Sequence, residues 1–437
     1  MGSALAALVL LAAVACTPTA PGGSTTTTTP TSSTSTTSTT STSTTSTTSS
    51  TTSTSTTSTT STTSTSTTST TSTTTTSVPA ATSTGALLAA GNSHTCALTA
   101  ANGVRCWGDN ATGQLGNGTT TNSLTPVNVT GLGSGVATIV AGDNQTCALT
   151  TAGGVRCWGN NLNSQLGNGT TTQSNVPVDV TGLGSGVTAI AAGDNHTCAA
   201  LSAGGVRCWG WGTQGQLGNN TISSSSVPVD VQGLPAGTTT DLTGGYRHTC
   251  AVISDGSARC WGRNTEGQLG NNTNTQSRVA ITPTGLGSGI TAIVAGGAHT
   301  CVVQTGTVKC FGLNTAGALG NGTTTNSNTP ATVTGITNAT AVAAGGSHSC
   351  ARTSTGAVKC WGLNQEGALG IGDATTNNST TPVDVAGLTA QTEISAGIQH
   401  SCARTSTTIK CWGLNTGGQL GNGTTTRAFS PVTVQGF

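Results

Sequence analysis

Six histidines and all but one of the fifteen cysteines stand at fixed places in a repeating stretch, and these are the side chains whose types and spacing permit chemistry. In Gly193 to Gly218, GDNHTCAALSAGGVRCWGWGTQGQLG, a His-x-Cys ending at Cys198 is followed by Cys208. The pattern admits a disulfide or a metal site built from one histidine and two cysteines. A metal would need a separate site in each copy, every one short of the ligands a zinc centre uses. No metal is therefore expected. The histidine position holds His94, His196, His248, His299, His348 and His400, with Gln145 in the second copy. An imidazole and a carboxamide can both donate and accept, so a structural tie from a turn to backbone groups is expected there. Gly345-Gly346-Ser347-His348 falls in a repeated turn and not in a strand-to-helix elbow. The twelve carboxylates are scattered, and no phosphate-cradling loop precedes a helix. Asp109-Asn110 and the Asn-Gly-Thr turns look faintly like calcium ligands but lack the dense oxygen spacing such a site needs, and read as turns. No catalytic residue and no cofactor is expected, and the chain does not read as an enzyme.

The elements that hold these residues follow from the period. An aromatic-Gly step recurs at Trp107, Trp158, Trp209, Trp261, Phe311, Trp361 and Trp412, every 50–52 residues. Near-constant spacing of this kind is the mark of a repeat architecture. Each copy reads as four short strands. Strand A is an apolar run such as Ala189 to Ala192, strand B is Thr197 to Leu201, and strand C is Val206 to Trp209. Strand D is of the type Val176 to Val180, its proline at the strand start, where a missing N–H is tolerated. A Leu183-Gly184-Ser185-Gly186 link leads to the next strand A. Four antiparallel strands in each of seven copies predict an all-β, seven-bladed β-propeller.

The cysteines test that register. If Cys96 faces Cys106, Leu98 faces Val104 and the turn lies between them. Opposed positions on an antiparallel pair hold their Cβ atoms close to disulfide distance. The same pairing predicts Cys147–Cys157, Cys198–Cys208, Cys250–Cys260 and Cys350–Cys360. Cys301–Cys310 and Cys402–Cys411 are one residue closer, with turns one residue shorter.

The Gly-x-x-His at Gly193 to His196, the Trp209-Gly210 step and the Gly-Gln-Leu-Gly at Gly215 to Gly218 resemble the regulator of chromosome condensation repeat family, whose members fold as seven-bladed propellers. The resemblance covers residues 85–437. In that family repeats and blades can be out of phase, so Pro431 to Val434 could close the ring by pairing with the first repeat.

Charged residues make up 6% of the chain, against roughly 25% in an average globular protein. Thirteen Lys and Arg balance twelve Asp and Glu, which leaves no cationic surplus to displace counterions from nucleic acid. Regular cysteine use points to an oxidising compartment. Residues 1–15 read as a signal peptide, with an apolar run from Ala4 to Ala15 too short to span a bilayer as a helix. Ala13-Val14-Ala15-Cys16 fits two outcomes: cleavage and release, or a lipid-modified Cys16 that resembles bacterial lipoproteins. The only membrane contact expected is through that lipid. Residues 16–84 are nearly all Thr and Ser and read as a disordered stalk or linker, O-glycosylated or bare. The propeller occupies 85–437, and a monomer is expected.

A repeat protein shows specificity where its copies differ. The A–B and C–D turns emerge on one face of the ring, and there the copies diverge. Repeats three and four place Trp211, Tyr246, Arg247, Arg263 and Glu266 on it. Trp, Tyr and Arg are the types that most often carry binding energy at interfaces. The cation before each second cysteine (Arg105 in the first copy) is expected to lay its stem over apolar surface with its head in solvent. The composite reading is a non-enzymatic module that holds a protein or glycan at the cell surface or in the secreted space. A secreted inhibitor of an extracellular enzyme, like a propeller that inhibits β-lactamases, is the alternative. Guanine-nucleotide exchange, the role of the family's nuclear founder, fits an exported chain less well.

Overall fold

A computed structural model describes residues 87–437 apart from Thr376. The expected signal peptide (1–15), the Cys16 lipidation site and all of the Thr/Ser tract (16–84) lie outside the described residues. Within them, 28 strands form seven four-stranded antiparallel sheets, each a simple meander of strands A to D. Blade 1 is Leu88–Ala90, His94–Leu98, Val104–Gly108 and Ser123–Asn128, and blade 7 is Glu393–Ala396, His400–Arg404, Ile409–Gly413 and Ala428–Thr433. The seven-bladed, all-β architecture read from the period is therefore the fold.

The last strand, which the repeat phase left free to close the ring on the first blade, does not do so. Ala428–Thr433 pairs with Ile409–Gly413 of its own blade, with Cys411 opposite Val432. Blade 1 already has an outer strand, since Ser123–Asn128 pairs with Val104–Gly108. Each repeat carries all four strands, so no vacancy is left for an exchanged one.

The core is divided among the junctions between blades. Trp158 of blade 2 packs with Leu98, Val104, Leu115, Val129 and Leu132 of blade 1. Trp107 of blade 1 closes the circle against Ile409, Leu420 and Val434. All six of these tryptophans and Phe311 are fully buried, and each indole contributes on the order of 5 kcal/mol of transfer free energy as an upper bound. The Gln-Leu-Gly segment shapes the receiving pocket. Gly116 sits at φ +66°, and a Cβ there would lie 2.6 Å from the Trp158 indole nitrogen. Glycine meets both demands at once.

Strands B and C are stapled in every blade. The seven disulfides join Cys96–Cys106, Cys147–Cys157, Cys198–Cys208, Cys250–Cys260, Cys301–Cys310, Cys350–Cys360 and Cys402–Cys411. Each links residues directly opposed in the ladder, such as Cys96 and Cys106 with Leu98 opposite Val104.

Candidate functional site

The repeated polar residues form a girdle inside the wall. His94 Nε2 lies 2.9 Å from Thr146 Oγ1 of the next blade, and that hydroxyl donates to Gln114 O at 2.9 Å. With its proton committed to the carbonyl, the hydroxyl accepts from the imidazole, which fixes Nε2–H as donor. The Trp158 indole donates to the same Gln114 carbonyl at 2.9 Å. The unit repeats through His196–Thr249, His248–Thr300, His299–Ser349, His348–Ser401 and His400–Thr95. The histidines thus tie blade to blade through a hydroxyl, where the sequence pointed to a turn and its backbone. Burial holds the imidazoles neutral: His94, His196 and His299 are lowered to about 4, and His248, His348 and His400 to about 3. Gln145 departs from the pattern by donating to Gly193 O at 2.9 Å.

Two other repeated groups are structural. Asn110 is buried, donates to the Thr119 and Thr121 carbonyls and accepts from Leu115 N–H, so it ties a turn together with its amide. Three of the strand-C cations, whose heads were expected in solvent, form exposed ion pairs there. Arg156 pairs with Asp179 at 2.8 Å, Arg207 with Asp230 at 2.8 Å and Lys359 with Asp384 at 2.6 Å. These pairs are exposed and worth about 0–1 kcal/mol each.

Above the girdle the A–B turns converge on the mouth of the central channel. The backbone from Ser93 to Gln399 binds the start of each C–D connection, as in Ser93 O to Asp109 N and Asn195 O to Trp211 N, both 2.8 Å. The mouth is a cavity of about 70 Å³ lined by turns that include Asp143, Asp194, Tyr246, Gly297, Gly346 and Ile398. Beneath it lies a channel of about 210 Å³ walled mainly by aliphatic side chains, among them Leu88, Ile139, Ile190, Leu242 and Ile394.

The mouth is lopsided. On one side the Asp143 and Asp194 carboxyls are close enough to repel one another, and Asn144 Nδ2 donates to Asp143 Oδ2 at 2.9 Å. Burial, then the Asp143 charge, pushes Asp194 up to about 6. On the other side Tyr246 reaches over the turns of blades 5 and 6. A Cβ on Gly297 would lie 3.1 Å from Tyr246 Cε2, and one on Gly346 would lie 2.9 Å from its hydroxyl. Those two glycines make room for the ring. Burial and the nearby Asp194 and Asp143 charges hold the Tyr246 hydroxyl well above its ordinary value, so it is a neutral donor at any physiological pH.

The five rim residues singled out from sequence fall into three groups. Arg247 stacks 4.7 Å above the Trp211 ring, a favourable cation–π contact. Arg263 pairs with Glu266 at 3.6 Å, and Glu266 Oε2 accepts from Asn326 Nδ2 at 2.9 Å. Tyr246 stands apart in the mouth. Sequence reasoning passed over Asp143 and Asp194, although both occupy a divergent position just before the histidine position. It also passed over Leu162, which is 74% exposed. The next residue but one to Asn161, Asn163, donates to Asn195 Oδ1 at 3.1 Å, so this loop leans onto the turn of blade 3.

Known proteins place this geometry. The RCC1-like domain model matches residues 134–437, and the regulator of chromosome condensation (RCC1) repeat matches residues 86–114 and 103–149. The Ultraviolet-B receptor UVR8 of Arabidopsis thaliana is 35% identical over 185 residues, 42% of each chain. The E3 ubiquitin-protein ligase HERC2 of Homo sapiens is 35% identical over 218 residues, 49% of this chain and 4% of that protein. The chain thus spans less than half the length of these curated relatives. Yeast RCC1 (Prp20), solved bound to Kap60, superposes with a TM-score of 0.69 at 20% identity, over 76% of this chain and 83% of its own. Human WBSCR16 gives 0.64 at 24% identity, over 72% and 85%. These two likenesses concern the fold alone. With a family model matching well over half its length on top of seven four-stranded blades, the chain belongs to the RCC1-like domain family.

Proposed function

We propose that this propeller is a non-enzymatic binding module that holds a partner protein on the face formed by the A–B and C–D turns of blades 2–4. The observation that carries this reading is the lopsided mouth. At the A–B turns blades 2–4 present Asp143, Asp194 and Tyr246 to the mouth, where blades 5–7 present Gly297, Gly346 and Ile398, and Arg247, stacked on Trp211, stands on the same face. An Arg-stacked tryptophan is of the kind an interface uses as an anchor, and Leu162, 74% exposed, stands on the neighbouring blade. Relatives support the class: yeast RCC1 (Prp20) is bound to Kap60 in one solved structure, and Prp20p has binding properties to Gsp1p and histones. The partner of this chain is its own. Seven disulfides favour an oxidising setting, and we place its work at the cell surface or outside the cell.

The test is affinity capture by the full chain from surface and culture fractions of the producing cell. Binding of the captured protein is then measured against Trp211→Ala, Leu162→Ser and a control change on blade 6, Ser347→Ala. Loss of at least tenfold with the first two and none with the third is expected. Equal binding by all three variants would remove the site from this face, and binding only to a glycan would replace the protein partner.

A further inference from the structure

Six of the seven junctions between blades are crossed by the chain itself, which runs from strand D of one blade into strand A of the next. The junction between blade 7 and blade 1 has no such link, and no strand is exchanged across it. Beyond the contacts that recur around the ring, here Trp107 in its pocket, His400 on Thr95 and Gly423 N–H on Leu124 O at 3.0 Å, a further set of side chains spans it. Glu393, on strand A of blade 7, accepts at Oε1 from the backbone N–H of Leu87 at 2.8 Å and of Leu88 at 3.1 Å. Two residues on, Ser395 Oγ accepts from Ala90 N–H at 3.0 Å. Arg404 donates to Leu87 O at 3.2 Å and Leu98 O at 2.9 Å. Arg105 donates to Gly436 O at 2.7 Å. The strand being held is also the shortest inner strand, 3 residues against 6 in blades 2–6.

The same construction occurs at one further junction and supplies a built-in control for the covalent link. Asp241 stands at the position of Glu393 in its own blade, opposite Val252 as Glu393 is opposite Arg404. Its Oδ2 accepts from Ile293 N–H at 2.9 Å, and Thr243 Oγ1 accepts from Ala295 N–H at 3.0 Å. There, however, the covalent link from blade 4 to blade 5 backs the contact.

We propose that the seam between blades 7 and 1 is where this ring opens, and that ionisation of Glu393 governs how readily it does so. The carboxyl looks into the aliphatic channel beside Leu88 and Ile394. An ion there is poorly solvated, so burial pushes Glu393 up to about 7, against the opposing pull of the Leu87 and Leu88 N–H groups and of Arg404 and Arg352. Arg404 faces it from strand B of its own blade and Arg352 from strand B of blade 6; the backbone N–H groups face it from blade 1. A carboxyl raised in the closed ring takes up a proton on closure, so closure is favoured at lower pH and weakens as pH rises through about 7. The buried imidazoles stay neutral across that window, whereas burial raises Asp241 to about 7 as well, so the two carboxyl junctions titrate together and differ in the covalent link that backs only one of them. Opening would give the channel a side entrance and separate the blade 1 and blade 7 turns of the mouth.

Amide hydrogen exchange of the full oxidised chain at about pH 6 and about pH 8.5, corrected for the intrinsic rate, tests this. Protection of the Leu87, Leu88 and Ala90 amides is expected to drop roughly tenfold between the two conditions, and to lie below that of Ile293 and Ala295, whose junction the chain itself backs, at both. Glu393→Gln keeps a carbonyl acceptor and cannot ionise, so its seam amides should show the same protection at both. Ser395→Ala should release Ala90 alone at either pH. The proposal is overturned if the wild-type seam amides show no loss at the higher pH, if Glu393→Gln keeps the wild-type dependence, or if Ile293 exchanges before Leu88. The wild-type comparison needs no variant to fold.

Discussion

His196 and Asp194 are two residues apart, yet one belongs to the girdle that fastens the blades and the other to the rim that crowns them. The girdle position is uniform in chemistry, because each copy must hand a hydrogen bond to the next blade and a missing one leaves a buried polar atom unpaired. The rim position varies from Asp to Tyr to Gly to Ile with no cost to the ring, because those side chains meet solvent or the mouth. Sevenfold symmetry therefore marks what the fold needs, and departures from it mark what is free to do something else.

The comparison breaks most visibly in the girdle's own layer. Reducing the disulfides should cause the largest loss of stability, about 2–3 kcal/mol for each bridge in the loop-entropy model. Paired replacement of Cys198 and Cys208 by Ala, read from the urea midpoint, isolates one of them. A protein whose midpoint is indifferent to reductant would dissolve the contrast.

Acid comes next. His196 is about 4 in the fold against 6.5 when free, so its contribution is complete above pH 6.5 and is lost as pH falls through about 4. At about 1.4 kcal/mol per unit, each such imidazole withdraws on the order of 3 kcal/mol. Acid melts should therefore be steep, shallower in His196→Gln and steeper in Gln145→His. An unchanged slope in both variants would mean that the imidazoles are not the groups being protonated.

A smaller effect sharpens the same contrast. Trp209→Phe removes the indole bond to Gln165 O, 2.9 Å long, and leaves a ring of the kind that blade 5 already uses at Phe311. We expect a cost of about 1–2 kcal/mol in chemical denaturation, against about 3–5 for Trp209→Ala. Finding the two variants equal would place all of the value in packing.

Rim changes should barely register in stability. Trp211→Ala is expected to move the melting curve by no more than about 0.5 kcal/mol. Asp194, raised to about 6, has the opposite sign to the histidines: its contribution is complete at acid pH and is lost as pH rises through about 6. Asp194→Asn should thus add a little stability at alkaline pH, by less than about 1 kcal/mol because the group is part-exposed. A large loss in either variant would make the rim part of the scaffold.

Much of this was legible in the chain. The Trp-Gly period counted the blades, and the Cys-to-Cys spacing located the B–C turns, because a disulfide demands opposed residues in a ladder. The rim was legible only as a set of candidates. Trp211 and Arg247 are 36 positions apart and meet because blades 3 and 4 are neighbours. Asp143 and Asp194 were visible as divergent letters, but nothing local says that their charges meet at the mouth. Tyr246 read as an interface residue, and only the ring's curvature carries it over Gly297 and Gly346.

Local pattern and spacing by themselves determined the architecture, since four strands, a staple and a buried aromatic are each encoded within one copy of the repeat. Closing the circle was decided by the tertiary structure alone. Whether the last strand crosses to the first blade depends on whether the first blade lacks a partner, and it does not. The seam then falls to Glu393, Ser395 and Arg404, whose meeting with Leu87, Leu88 and Ala90 no short-range rule could foresee, because it joins the two ends of the folded chain.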